Sequence, residues 1–169
     1  MSIDELVIRS AEAADLPSLL ALYHDLNPAD PVIDCERAEE RFEAILAQPG
    51  MTVFVGIAGQ AAASSVTLIV VPNLTRNGAS YALIENVVTA ARYRQRGYGR
   101  VLIQHAIETA WKAGCYKVML LTGSKDPATL RFYENCGFTQ DKTGYQVRRA
   151  DNYSSGSAVN ISGKPASLA

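Results

Sequence analysis

The spacing of apolar residues changes twice along this chain, and that change limits the folds open to it. Leu6-Val7-Ile8 reads as a short strand. Asp15-Leu16-Pro17 then predicts an N-cap with proline in the first turn, opening a helix through Leu26 that Asn27-Pro28-Ala29-Asp30-Pro31 breaks. Asp34 predicts the cap of a second helix. It has Phe42, Ile45 and Leu46 on one face and Glu36, Glu39, Glu40 and Glu43 on the other, and Gln48-Pro49-Gly50 ends it. From Thr52 the period is that of strands: Thr52 to Ala58, a tight turn at Gly59-Gln60, Ala61 to Val71, a polar loop from Pro72 to Gly78, and Ser80 to Thr89. After Gly99 the period returns to 3.6, with Val101/Leu102, Ile103, Ala106/Ile107 and Ala110/Trp111 on one side, and Gly114 fits the C′ position. Lys117 to Leu121 reads as a strand. Asp126-Pro127 caps a short helix to Asn135, Gly137 ends it, and Phe138 to Arg149 reads as one or two final strands. The resulting order, β-α-α-β-β-β-α-β-α-β, is an α+β arrangement on a mixed sheet, not a series of βαβ units.

The chain has 169 residues, enough for one domain with a real core. No run approaches the ~18 apolar residues of a membrane span. Met1-Ser2-Ile3-Asp4-Glu5 lacks the basic and apolar regions of a secretory signal. Cysteines 35, 115 and 136 are odd in number and form no zinc pattern with only two histidines, so a reducing, cytoplasmic setting and no metal are expected. The net charge of −1 argues against a nucleic-acid polycation. It conceals a split: residues 1–50 carry eleven acids against Arg9, Arg37 and Arg41, while Arg92, Arg94, Arg96 and Arg100 crowd into nine residues. That crowding calls for a local anionic partner. The acids around Glu36 and Glu43 read first as a solvated helix face. The tail from Ala150 to Ala169, rich in Ser, Gly, Ala and Asn, is expected to be flexible.

Arg94-Gln95-Arg96-Gly97-Tyr98-Gly99, between a strand and an amphipathic helix, is the most informative stretch. Two glycines spaced by one residue let backbone amides approach a ligand. A helix N-terminus adds N–H donors and positive dipole, and Arg94, Arg96 and Arg100 add charge, so the stretch reads as a pyrophosphate cradle. The dinucleotide fingerprint would need a third glycine where Leu102 stands, and a phosphate-binding loop would need Gly-Lys-Ser/Thr, which is absent.

This motif resembles the acetyl-CoA signature, Arg/Gln-x-x-Gly-x-Gly/Ala, of the GNAT N-acetyltransferases. Arg131-Phe132-Tyr133-Glu134-Asn135-Cys136-Gly137-Phe138 resembles that family's second signature, and the resemblance covers about residues 5–149. Within the family, Ile84-Glu85-Asn86-Val87 and Cys115-Tyr116-Lys117-Val118 are similar to stretches of the glucosamine-6-phosphate N-acetyltransferases. Aminoalkylphosphonate acetyltransferases form another similar group. The resemblance implies a three-layer α/β/α fold with a mostly antiparallel, splayed sheet and about four helices. It implies one domain over residues 1–149, acetyl-CoA as co-substrate, and a small-molecule amine acceptor, with neither nucleic acid nor membrane as partner. Similar small enzymes are often homodimers.

The resemblance also distributes roles. It places Val87 and Thr89 where strand backbone pairs with the pantetheine arm, and Arg94, Gln95, Arg96, Gly97, Tyr98, Gly99 and Arg100 around the pyrophosphate. Phe132 and Asp126 stand beside the cofactor, Asp126 also reading as a helix N-cap. Tyr133 matches the tyrosine that protonates the departing thiolate. An alkylamine with a pKa of about 10 must lose a proton before it attacks a thioester, and a carboxylate near the acyl group can take it. Glu85, four residues before Thr89, is the candidate base, with Ile84 and Val87 expected as apolar surroundings. An N–H near Val88 is the expected oxyanion donor. Asn86 stands where a second acid is common in the similar enzymes. Tyr23 and the loop holding Asn73 and Arg76 lie in regions that bound the acceptor pocket there, and Arg76 suits an anionic acceptor. His24 and His105 read as surface residues, and Cys115 and Cys136 as core fillers. Two other readings stay open: a non-catalytic CoA-binding module, and a peptide N-acetyltransferase drawn to basic tails by the acidic second helix.

Overall fold

The computed structural model describes residues 6–149. The expected tail from 150 to 169 lies outside the described residues. Five strands form one sheet in the order of the chain: β1 (Leu6–Ser10), β2 (Met51–Ala58), β3 (Ala61–Val71), β4 (Tyr81–Thr89) and β5 (Val118–Leu120). The first four pair antiparallel, β1 and β2 across the two helices between them, β2 and β3 through the turn at Gly59-Gln60, and β3 and β4 through a loop, whereas β5 lies parallel to β4. A parallel pair needs a crossover, and α3 (Tyr98–Lys112) supplies it. The other helices are α1 (Leu16–Leu26), α2 (Cys35–Ala47) and α4 (Pro127–Asn135). The mixed, mostly antiparallel sheet and four helices agree with the expected fold class.

Alternation along the strands divides the core into two layers. Leu19 and Leu22 of α1 and Phe42 of α2 pack on Val53, Val55 and Val88. On the opposite face, Leu102, Ile103 and Ala106 of α3 pack on Phe54, Val66, Leu68 and Ile84, with Phe132, Tyr133 and Phe138 bordering the same cluster. Each fully buried Leu or Ile contributes about 1.5–3 kcal/mol. The acidic face of α2 is exposed, as its pattern required, but Leu46 is exposed too and only Ala38 and Phe42 of that helix are fully buried.

Helix caps follow the sequence in two cases and depart from it in a third. Asp34 accepts from the Arg37 N–H, and Asp126 accepts from the Ala128 N–H. Asp15 precedes α1 without capping it. Its carboxylate takes two hydrogen bonds from Arg9 and one from the Glu12 N–H. A charged partner on β1 thus outcompetes the neutral helix amides. Residues 138–149 are not in the sheet, contrary to the final strands expected there, and Tyr145 and Val147 are almost wholly exposed. Among the described residues, no helix is long and apolar enough to cross a membrane.

Candidate active site

β4 changes character halfway along. Ala82, Leu83 and Ile84 pair with Val118, Met119 and Leu120, and beyond Ile84 the β5 side of β4 is open. On its other side the register with β3 slips. Thr67 faces Glu85 and Ser65 faces Val88, so two β4 residues, Asn86 and Val87, stand against Val66 alone. Asn86 takes a left-handed φ of 52°, which Asn tolerates better than most residues. The bulge turns Glu85 and Val88 toward the same face, the one covered by α1. Glu85 is exposed there, whereas Ile84 is buried on the α3 face. The apolar surroundings expected of Ile84 are therefore not at Glu85.

Backbone direction follows from the contacts just past the bulge. The Ala90 N–H reaches the Ala63 carbonyl on β3, and the Val88 carbonyl accepts from the Ser64 hydroxyl, also on β3. Val88 is thus committed to the sheet interior, so its own N–H does not face the open edge. By alternation the outward-facing backbone groups are those of Val87 and Thr89. The Thr89 carbonyl there accepts from Arg94 Nε at 3.1 Å.

The arginine stretch folds as a compact turn into α3. Gln95 and Gly97 both have positive φ, 62° and 83°, and Gly97 is an N-cap without a side chain to cap the first turn. A helix start of this kind directs N–H groups and positive dipole outward. Gly99 is required by packing, since a Cβ there would meet Thr89 Oγ1 at 3.1 Å and Phe132 Cζ at 3.4 Å. Arg92 and Arg96 lie over the Tyr93 ring at 5.0 and 5.5 Å. Arg94, Arg96 and Arg100 are exposed. Tyr98 offers this turn its backbone and not its ring. Its side chain is buried with Ala58 and Ala63 and anchors the turn from beneath.

α4 brings the second signature to the same edge. Tyr133 is partly buried, in edge-on contact with Phe132 and Phe138 at 5.1 and 6.3 Å. Burial pushes its pKa up, and the nearby Cys136 and Glu85 push it further. The phenol therefore feels the Glu85 carboxylate, one side chain arriving from α4 and the other from β4. The Asp126 carboxylate is engaged with Ala128 N and Thr129 Oγ1, so it acts as the cap and not as a free ligand group.

The acceptor side is more mixed. Tyr23 is partly buried in the α1 layer. The amide of Asn73 bonds within its own loop, donating to Thr75 and the Ala79 carbonyl and accepting from the Thr75 N–H. Arg76, with φ of 56°, is held over Tyr116 at 5.8 Å. Lys117, which the sequence did not single out, lies over Tyr81 and Tyr116 at 5.3 and 5.5 Å. His105 packs edge-on against Phe54, and Cys115 and Cys136 are buried in the core, consistent with modest roles for all three. Among the described residues no group of three His, Cys, Asp or Glu is placed to hold a metal.

Comparison with known proteins agrees with this geometry. Residues 19–138 match the model of the acetyltransferase (GNAT) family. The chain is 35% identical over 134 residues to glucosamine 6-phosphate N-acetyltransferase of Trypanosoma brucei brucei, covering 79% of this chain and 89% of that one. It is 33% identical over 138 residues to glucosamine 6-phosphate N-acetyltransferase 1 of Oryza sativa subsp. japonica, covering 79% and 81%. Among solved structures, one from Agrobacterium tumefaciens str. C58 that goes under the name of an acetyltransferase superposes with a TM-score of 0.83 at 55% identity, covering 85% of this chain and 99% of that one. The family model spans most of the chain and the curated relatives are named for acetyl transfer to an amine, and this chain belongs to the GNAT acetyltransferase family as an N-acetyltransferase that uses acetyl-CoA.

Proposed function

We propose that the acceptor is a small primary amine carrying an anionic group, such as the amino-sugar phosphate for which the relatives are named, and that acetyl transfer to it is direct. The observation that carries this reading is the open edge of β4, flanked by Glu85 on the α1 face and Tyr133 on α4. The pantetheine arm pairs with the Val87 and Thr89 backbone as an added strand. The pyrophosphate lies on the turn from Arg94 to Arg100. The Val87 N–H, directed to the same edge, holds the developing oxyanion.

Glu85 takes the proton from the ammonium group of the acceptor. The freed amine attacks the thioester carbon, the tetrahedral intermediate collapses with cleavage of the C–S bond, Tyr133 gives its proton to the departing thiolate, and the surplus proton on the new amide nitrogen restores the phenol. A raised pKa suits that task, because the phenol remains protonated at neutral pH. Arg76 and Lys117, held over Tyr116, supply positive charge for the anionic end of the acceptor.

A cytoplasmic homodimer completes the reading. It is supported by the free cysteines 35, 115 and 136 and by the exposed Tyr145 and Val147 after α4. A thiol-release assay with acetyl-CoA against amino-sugar phosphates, aminophosphonates, polyamines and basic peptides tests the acceptor. Turnover confined to basic peptides refutes the small anionic amine.

A further inference from the structure

β3 carries three polar residues in an otherwise apolar run, Ser64, Ser65 and Thr67, all fully buried. Ser64 is accounted for by its bonds to the Val88 carbonyl and Thr89 Oγ1. Ser65 is not. Its Oγ is the buried side-chain oxygen without a hydrogen-bond partner among the described residues. It stands between Val55 on β2 and Val88 on β4, in a layer made of Leu, Phe and Val. An unsatisfied buried hydroxyl destabilises the fold, and alanine would fill the position without that cost. Folding gives no reason for a serine.

The bulge supplies one. Because Asn86 and Val87 both stand against Val66, Glu85 and Ser65 lie on the same face as diagonal neighbours, with Thr67 between them. Diagonal cross-strand neighbours have Cβ atoms about 7–8 Å apart, which a glutamate side chain can bridge directly or with one water. A bulge also leaves a strand locally unpaired, which makes room for such a contact. We infer that Ser65 is a positioning residue for the transfer reaction: with the acceptor bound, its hydroxyl donates, directly or through one water, to the Glu85 carboxylate and holds it toward the amine. This rests on Glu85 as the base. No bond to Ser65 is made or broken, and the proton passes from ammonium nitrogen to carboxylate oxygen.

The charged surroundings of Glu85 are few. β3 and β5 carry no ionisable side chain. α1 brings Tyr23, His24 and Asp25, the last two exposed. α4 brings Tyr133, with Arg131 and Glu134 exposed. α3, on the opposite face, carries Arg100, His105, Glu108 and Lys112. A donor aimed at a carboxylate favours its charged form, so removing the donor moves the acid limb of the rate profile to higher pH.

The test compares wild type, Ser65→Ala, Ser65→Cys and Glu85→Gln by melting temperature and by the pH dependence of kcat at saturating acceptor, which reports the bound complex, with the acceptor found by thiol release. For Ser65→Ala the expected result is a Tm equal to or above wild type, an acid limb displaced upward by about half to one pH unit, and a kcat lowered about three- to tenfold. Ser65→Cys, whose thiol is a weak donor of similar size, is expected to shift the limb in the same direction. If Glu85→Gln abolishes the limb but both serine variants superimpose on wild type, Ser65 has no positioning role and the base stands. If Glu85→Gln leaves the limb in place, both assignments fall. A lowered Tm with an unmoved limb makes Ser65 a purely structural residue and overturns the inference.

Discussion

Arg94 donates its Nε–H to the Thr89 carbonyl at 3.1 Å, which ties the arginine turn to the last residue of the open β4 edge. One side chain thus links the two parts of the proposed cofactor site, the strand that pairs with pantetheine and the turn that faces pyrophosphate. Arg94→Ala is expected to raise the acetyl-CoA Kd about tenfold and to flatten its salt dependence, because both an organising contact and a positive charge are lost. Isothermal titration at two ionic strengths measures both. An unchanged Kd excludes Arg94 from the cradle.

The phenol of Tyr133 has a definite pH consequence. Its folded pKa is raised, first by burial and then by Cys136 and Glu85. Its contribution to stability is therefore fully present below the unfolded value of about 10 and is lost as pH rises through the folded value. Tyr133→Phe is expected to lower kcat about 10²-fold at neutral pH while sparing acetyl-CoA affinity. It is also expected to remove part of the alkaline loss of stability. Steady-state kinetics and pH-dependent melting test the two effects separately, and a wild-type kcat excludes Tyr133 as the acid.

Asp15 gives the opposite sign at the acidic end. Its hydrogen bonds from Arg9, and less strongly that from the Glu12 N–H, lower its folded pKa from the usual 3.8. The stability it contributes is present above that unfolded value and is lost as pH falls through the folded one. Asp15→Asn is expected to cost about 1–2 kcal/mol at pH 7, since Arg9 is part-exposed and the pair is only partly shielded from water. The deficit is expected to shrink toward pH 2. Urea denaturation at pH 7 and pH 3 measures it, and an equal loss at both contradicts the assignment.

Much of the scaffold was legible because its punctuation is local. Pro17 at the start of α1, Gly59-Gln60 between β2 and β3, and Asp126-Pro127 before α4 each mark a boundary through their own backbone preferences, and the elements begin or end there. The arginine turn and Tyr133 were readable as motifs for the same reason. The bulge at Asn86 was not, since it exists only in the register between β3 and β4. Nor was the bond from the Asn73 amide to a carbonyl six residues away. Asp15 was read as a cap because its sequence neighbours suit one, whereas the partner that claims it, Arg9, is on β1. Residues 138–149 have strand-like composition but pair with no strand among the described residues, and composition alone does not supply a partner.

Gly99 shows how closely the two signatures depend on each other. It sits in the first turn of α3, where a Cβ would meet Thr89 Oγ1 at 3.1 Å and Phe132 Cζ at 3.4 Å. The first contact is tighter than a relaxed fit, and Thr89 Oγ1 does not move freely because it is bonded to Ser64 Oγ; the second brings the methyl into contact with Phe132, which is packed against Tyr133. Gly99→Ala therefore pushes the helix start away from β4 and presses on Phe132 of α4. The expected cost is about 1–2 kcal/mol of stability, with acetyl-CoA binding weakened at least several-fold and kcat reduced through the displaced Tyr133. If the alanine variant binds acetyl-CoA as tightly as wild type with the same melting temperature, the contact between Gly99 and Phe132 does not set the geometry of the site.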